Sequence, residues 1–261
     1  MLTLYFSGTG NTKYVAELFS QKTGAECFSI EADIDFAAVI QEHDTIAFCY
    51  PIYCSRVPQF MRVFAHNHMS DLNGKKVIIL VTQQAFSGDG ARVFTDLFEK
   101  STIDVLYAEH FNMQQNMGNF PIIRTLFKPG DKNRRRFAGK TEAKMNAVCD
   151  DISNGVVKKR GFSKASVILG YIQGKSWQKD TKSIAAERLE KKMQHGVKIH
   201  EDCTSCNMCT EFCPVKNLIN NEGQIQHLNK CTICYRCVNL CPQKAITVFV
   251  HSKPKWQYVF E

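Results

Sequence analysis

Two runs of cysteine carry the most chemical information in this chain. The first is Cys203-x2-Cys206-x2-Cys209-x3-Cys213, closed by Pro214. The second is Cys231-x2-Cys234-x2-Cys237-x3-Cys241, closed by Pro242. Eight of the 12 cysteines fall in this segment. Thiolates spaced by two residues can all be aimed at one centre, because the chain turns tightly between them. The cysteine three residues further on points away and completes the neighbouring centre. The spacing therefore predicts two [4Fe–4S] clusters. Cys203, Cys206, Cys209 and Cys241 hold the first, and Cys213, Cys231, Cys234 and Cys237 hold the second. A zinc ribbon has no use for a third Cys-x2-Cys and a trailing Cys-Pro in each half. A disulfide framework wants a secreted chain, and Met1-Leu2-Thr3 opens no basic, apolar and small-residue leader.

The segment also repeats internally. Cys203-Thr-Ser-Cys206 aligns with Cys231-Thr-Ile-Cys234, and Pro214-Val-Lys-Asn-Leu-Ile with Pro242-Gln-Lys-Ala-Ile-Thr. On these residues, 197–250 resembles a bacterial two-cluster ferredoxin, which implies a small α+β domain. The 17-residue spacer between Cys213 and Cys231 is rich in Asn and Gly and predicts a short hairpin. So few residues bury little apolar surface, so the clusters must hold this part together.

A second chemical signal opens the chain. Leu2–Phe6 is a short apolar, β-rich run, and Tyr14–Phe19 is amphipathic. Between them stands Ser7-Gly8-Thr9-Gly10-Asn11-Thr12. Strand, small-residue loop and helix together turn backbone N–H groups and hydroxyls onto a phosphate. The loop lacks the Gly-Lys-Ser/Thr of a Walker loop and the Gly-x-Gly-x-x-Gly of a dinucleotide site. Neutral donors without a lysine suit a monophosphate. Ser7, Thr9, Gly10, Asn11 and Thr12 closely resemble the phosphate loop of flavodoxins, which implies bound FMN. A plain helix N-cap would use the same residue types.

The resemblance implies a flavodoxin-like, doubly wound α/β fold with a five-stranded parallel sheet in the order 2-1-3-4-5. Glu26–Ile30, Asp44–Tyr50, Lys75–Thr82 and Asp104–Phe111 supply the remaining strands, the fourth a continuous apolar run suited to a strand covered on both faces. Ligands in such sheets bind beyond the carboxyl ends of the strands. Pro51, Ile52 and Tyr53 leave the third strand there and are similar to the flavodoxin loop that wraps the flavin ring, with Tyr53 the candidate for stacking. Phe86, Ser87, Gly88 and Asp89 leave the fourth strand and resemble the second ring loop, without its usual acidic and tyrosine pattern. Asp89 is also placed to cap a helix over Ala91–Lys100. Cys49 reads as core filler, and Cys54 faces either flavin or solvent. The polar loop over 112–121 either lies over the flavin or simply crosses to the next helix.

Arg134, Arg135 and Arg136 open a long helix expected from Phe137 to about Lys159, with most of the three solvated. Gly161, Gly170 and Gly174 interrupt the stretch beyond that helix, and Thr181–His195 reads as a further helix. Phe162, Tyr171 and Trp177 are too many large apolar groups for a free tether. The expected organisation is thus a flavin domain over 1–160, a structured linker over 161–196, the ferredoxin-like domain over 197–250 and an aromatic tail over 251–261.

The chain has 261 residues, 44% of them hydrophobic, and a formal charge of +8. Cluster ligation would add about −4 to that charge, and a flavin phosphate nearly two more negative charges. The loaded protein is then close to neutral, and its basic composition does not point to nucleic acid. No apolar run reaches the ~20 residues of a membrane span. Reduced thiols suit the cytoplasm of an anaerobe-like metabolism. Clusters beside a flavin imply relay of low-potential electrons between redox proteins. Alternatively, the flavin reduces a small acceptor with electrons fed through the clusters. No carboxylate pair or Ser-His-Asp set is visible for other catalysis. The pattern resembles the flavodoxin–ferredoxin fusion proteins of anaerobes.

Overall fold

A computed structural model describes residues 1–53, 56–98, 102–126, 128–174 and 188–260. Its contacts divide the chain into two compact units. The first gathers Met1–Ser7, Asn11–Met113 and Arg136–Ala185; the second gathers Gly8–Gly10, Gln114–Arg135 and Ala186–Glu261.

The first unit is built on a parallel sheet. Its strands are β1 (Leu2–Tyr5), β2 (Glu26–Ser29), β3 (Thr45–Pro51), β4 (Lys76–Gln83), β5 (Asp104–Asn112) and β6 (Lys158–Lys159), in the order β2-β1-β3-β4-β5-β6. The predicted doubly wound sheet is present, with six strands rather than five. The extra strand has no apolar signal. Two exposed lysines pair through the backbone, with Lys158 beside Tyr107, Lys159 beside Ala108, and the Arg160 amide donating to the Ala108 carbonyl at 3.0 Å, while the Lys158 ammonium pairs with Glu109 at 3.5 Å and Asp151 at 3.6 Å. At the centre, Val77, Ile78, Ile79, Leu80 and Val81 are all fully buried, as a strand covered on both faces requires.

Helix α1 (Asn11–Thr23) buries Thr12, Val15, Ala16, Phe19 and Ser20, the spacing of a single helical face. It is longer than its apolar stripe suggests. Helices α2 (Phe36–Gln41, capped by the Asp35 carboxylate) and α3 (Gln59–Asn67) follow. Of the helix expected over 91–100, the described residues form a 3₁₀ turn at Arg92–Leu97, and 99 and 100 lie outside the described residues. Asp89 does not cap it with its side chain, because its carboxylate pairs with Arg92 at 2.7 Å. Next come α4 (Pro121–Leu126), α5 (Asp131–Ser153), α6 (Lys164–Gly174) and α7 (Arg188–His195). The three arginines lie inside α5, which begins and ends earlier than the apolar pattern indicates. The first part of the expected helix over 181–195 lies outside the described residues. No described helix is long and apolar enough to cross a membrane.

The remainder of the second unit carries the sequence repeat into three dimensions. It comprises β7 (Val197–Ile199), α8 (Met208–Glu211), β8 (Leu218–Asn221), β9 (Gln224–His227), α9 (Arg236–Leu240) and β10 (Ile246–Val248). The predicted hairpin is β8–β9, and β7 pairs antiparallel with β10. Cys203 and Cys231 stand 28 positions apart. The same step carries β7 onto β9, α8 onto α9 and β8 onto β10. It also relates three pairs of left-handed residues: Ser205 and Ile233, Asn207 and Tyr235, Lys216 and Lys244. A β-branched residue such as Ile233 at φ +61° is costly, and it persists here because the turns around the cysteines demand it.

One buried group sets a pH limit on the first unit. The Nε2 of His110 accepts a hydrogen bond from the Ala91 amide at 3.3 Å, so the ring is held neutral. Burial, then the Arg160 charge, push its pKa down to about 4, against the pull of Glu109. Unfolded, the same ring titrates near 6.5. A depressed histidine contributes stability that is complete above the unfolded pKa and is lost as pH falls towards the folded one. The unit is expected to lose about 2 kcal/mol between pH 7 and pH 5 through this group. Denaturant melts of the full chain and of His110→Gln at both pH values measure it: the wild type loses the larger share, and equal losses would exclude this role.

Candidate functional site

The cysteines converge on two separate cavities. One is lined by Cys203, Cys206, Cys209 and Cys241 together with Ile225, Pro242 and Ile246. The other is lined by Cys213, Cys231, Cys234 and Cys237 with Val197, Pro214 and Leu218. Each cavity takes three cysteines from one half-motif and one from the other, the exchange that the spacing predicts. The described cysteines form no disulfide.

The electrostatics group the thiols in the same way. Burial, then the charges of Cys203, Cys241 and Cys206, raise the Cys209 thiol to about 11. Burial raises Cys231 to about 12, assisted by Cys234 and Cys213, against an amide hydrogen bond from Ile233. Cys237 is pushed well up by desolvation, then by Cys231, Cys234 and Cys213. Crowded, desolvated thiols are poor thiolates without a cation, so a bound metal centre is what would stabilise their charge. Backbone amides already address the sulfurs: Asn217 donates to Cys213 Sγ at 3.2 Å, Ile233 to Cys231 Sγ at 3.3 Å and Ala245 to Cys241 Sγ at 3.3 Å. Such N–H···S bonds set the potential of iron–sulfur centres. The donor set and the inward amides fit [4Fe–4S] groups.

The phosphate loop lies between β1 and the N-terminus of α1. Ser7, Thr9 and Thr12 are buried, and Gly10 adopts φ +94°. Thr12 shares a 2.8 Å hydrogen bond with the Thr82 hydroxyl. Thr9 Oγ1 accepts from Asn116 Nδ2 at 3.0 Å, which leaves the Thr9 hydroxyl proton to donate elsewhere. The loop contains no charged side chain, and a 13-residue helix starts at Asn11. Neutral donors at a helix N-terminus fit a flavin monophosphate.

The ring loops are brought together less directly. The Ile52 amide donates to the Thr82 carbonyl at 2.9 Å, and Tyr53 forms a tight reciprocal bridge with Arg56. Cys54 lies outside the described residues. Phe86 is half-exposed, whereas Ser87 is buried with its hydroxyl donated to Gln83. Gly88, at φ +57°, packs so closely on α6 that an added Cβ would stand 2.5 Å from the Gly170 amide nitrogen. Burial, opposed by Arg92, raises the Asp89 pKa, and its Oδ1 abuts Gly170. Gly88 and Asp89 therefore pack against the chain's own helix. Gly170 is the residue that permits the approach, and a small residue inside the apolar run Val167-Ile-Leu-Gly-Tyr-Ile is its one sequence signal.

The loop at 114–121 belongs to the second unit. Asn119 donates to the carbonyls of Val248 and Val250, Ser252 donates to the Asn119 carbonyl, and Lys255 donates its amide to the Gly118 carbonyl. Met117 packs on the cysteine-bearing core, and the Phe120 ring stacks with Phe249 at 6.2 Å. Neither Asn116 nor Asn119 carried a pattern that identified these partners in the sequence.

A flavodoxin domain model matches residues 2–121, and a 4Fe-4S dicluster domain model matches residues 195–242. The chain joins a flavodoxin domain to a 4Fe-4S dicluster domain, a pairing that supports electron transfer involving flavin and iron–sulfur. No curated protein matches it. Among solved structures it is similar to a Bacteroides eggerthii protein assigned as a flavoprotein, at 18% identity over 58% of this chain and 96% of that one, with a TM-score of 0.39. It is also similar to the Trp repressor binding protein of Bacillus subtilis, at 14% identity over 54% and 96%, with a TM-score of 0.38. A flavodoxin from the domain Archaea overlaps at 14% identity over 56% and 96%, with a TM-score of 0.36. Strand order and the domain models, rather than these overlaps, define the fold.

Proposed function

We propose that the protein is an electron carrier in which two [4Fe–4S] clusters exchange low-potential electrons with FMN. Cys203, Cys206, Cys209 and Cys241 hold one cluster, and Cys213, Cys231, Cys234 and Cys237 hold the other. Ser7, Thr9, Gly10, Asn11 and Thr12 bind the flavin phosphate, with Pro51, Ile52, Tyr53, Phe86 and Ser87 nearest the ring. The observation that carries this reading is the pair of cavities whose four-cysteine linings exchange one member between half-motifs. When bound, the clusters supply one-electron transfer, and the flavin joins it to two-electron chemistry. The chain itself supplies fixed positions, desolvated thiolates and amides that stabilise the more negative charge state. Redox proteins of a reducing cytoplasm are its donors and acceptors. The loop over 112–121 is the chain's candidate wall for a substrate pocket. The hold of the second unit on 114–121 favours the carrier over a flavin reductase of a small acceptor.

Anaerobic stopped-flow reduction tests the proposal. With a reduced ferredoxin as donor, cluster absorbance is expected to bleach first and flavin absorbance to follow, with no turnover of small acceptors. A flavin inert to reduced clusters would contradict both the carrier and the reductase readings.

A further inference from the structure

The tip of the phosphate loop, Gly8–Gly10, groups with the second unit, and its contacts there are specific. Arg236 Nε donates to the Gly8 carbonyl at 3.2 Å. Asn239 Nδ2 donates to the Asn116 carbonyl at 2.9 Å, and Asn116 Nδ2 donates to Thr9 Oγ1 at 3.0 Å. The Phe260 amide donates to the Thr9 carbonyl at 2.8 Å, and the Phe260 carbonyl oxygen lies 2.0 Å from where a Cβ on Gly10 would stand. The segment that brings Phe260 there is fastened to the same helix. Asn239 Oδ1 accepts from the Tyr258 amide at 2.8 Å, and Gln257 Nε2 donates to the Val238 and Cys241 carbonyls at 3.0 and 2.6 Å.

Arg236 and Asn239 both lie on α9, which also carries Cys237. A loop of glycines and hydroxyls has no stiffness of its own, and such a loop binds phosphate well only when its donors are held in place. Here each polar contact of Thr9 serves that end. Its carbonyl is taken by Phe260, and its Oγ1 accepts from Asn116, which leaves its hydroxyl proton to donate to a ligand.

We propose that α9, acting through Asn116, Arg236 and the 256–260 segment, positions the phosphate loop and so sets the protein's affinity for the phosphate of FMN. The inference rests on the reading of Ser7–Thr12 as the FMN phosphate site. It makes Asn116, Asn239 and Arg236 positioning residues, none of which touches the ring.

The test compares FMN with riboflavin, which lacks the phosphate, by fluorescence quenching on anaerobic, cluster-loaded full chain. Asn116→Ala and Asn239→Ala are each expected to weaken FMN about five- to tenfold, the effect of one lost hydrogen bond to a group that must be aligned. Riboflavin affinity and iron content should stay at wild-type values. The double variant should lose little more than either single one, because the two residues act in series. Arg236→Gln, which touches the loop from a different side, is a second handle if an asparagine variant misfolds. FMN affinity unchanged in all three single variants overturns the proposal. Equal losses for FMN and riboflavin also overturn it, because they mark a general loss of structure. A wild type that binds riboflavin and FMN alike, or neither, removes the phosphate site itself and with it the underlying reading.

Discussion

Cys231→Ser is expected to remove about half of the iron and most of the stability of the second unit. Cys231 is buried in the same core as Val197, Leu218, Tyr235, Val238 and Ile246, and its sulfur lines the second cavity. A hydroxyl there is a weak ligand for iron. The remaining thiols, Cys213, Cys234 and Cys237, would then face one another with no cluster to share their charge. Structural metal sites contribute on the order of 10 kcal/mol to small domains, more than a unit of this size holds in reserve. Iron analysis and circular dichroism of the anaerobic variant check the result; full iron content would show that Cys231 is not a ligand. Cys206→Ser makes a useful contrast. That thiol is exposed and lines the other cavity. It should lose the first cluster yet keep FMN, because α9 and its hold on Gly8–Gly10 stay in place.

Gly10→Ala is expected to weaken FMN binding by about 100-fold. The residue stands at φ +94°, a region that costs an L-residue about 1–2 kcal/mol. Its new methyl group would also stand 2.0 Å from the Phe260 carbonyl oxygen, which is backbone and cannot rotate aside. The loop must move or the 256–260 segment must lift, and about 3 kcal/mol in total corresponds to two orders of magnitude in affinity. Gly24 provides the control. It too has a positive φ, +70°, but nothing lies within 4 Å of an added Cβ. Gly24→Ala should cost about 1 kcal/mol of stability and leave flavin affinity unchanged. FMN titration of the two variants reads the difference, and equal behaviour would show that the Phe260 contact has no bearing on the loop.

The grouping of the cysteines into two sets of four was legible because the chemistry fixes the spacing. Three thiols on one turn leave few alternatives, and a repeat of 28 positions carries helices, strand pairs and left-handed turns with it. The central strands were legible because burial on both faces demands unbroken apolar runs such as Val77–Val81. Other features left no such trace. Strand β6 consists of two lysines held by backbone bonds, which side-chain pattern cannot report. The 3₁₀ turn at Arg92–Leu97 depends on where Asp89 finds its partner, and that partner, Arg92, was read as part of a helix. The hold on Gly8–Gly10 depends on Asn116, Asn239 and Phe260, which are far apart in sequence and ordinary in type. Polar contacts of that kind come from tertiary placement and have no periodicity to read.

The most direct measurement is anaerobic purification with quantitation of iron, sulfide and flavin in one sample. About eight irons with matching sulfide and one FMN per chain are expected of a two-cluster flavin carrier. Protein that holds zinc in the cysteine cavities, or that carries iron but takes up no FMN when it is supplied, would contradict that assignment.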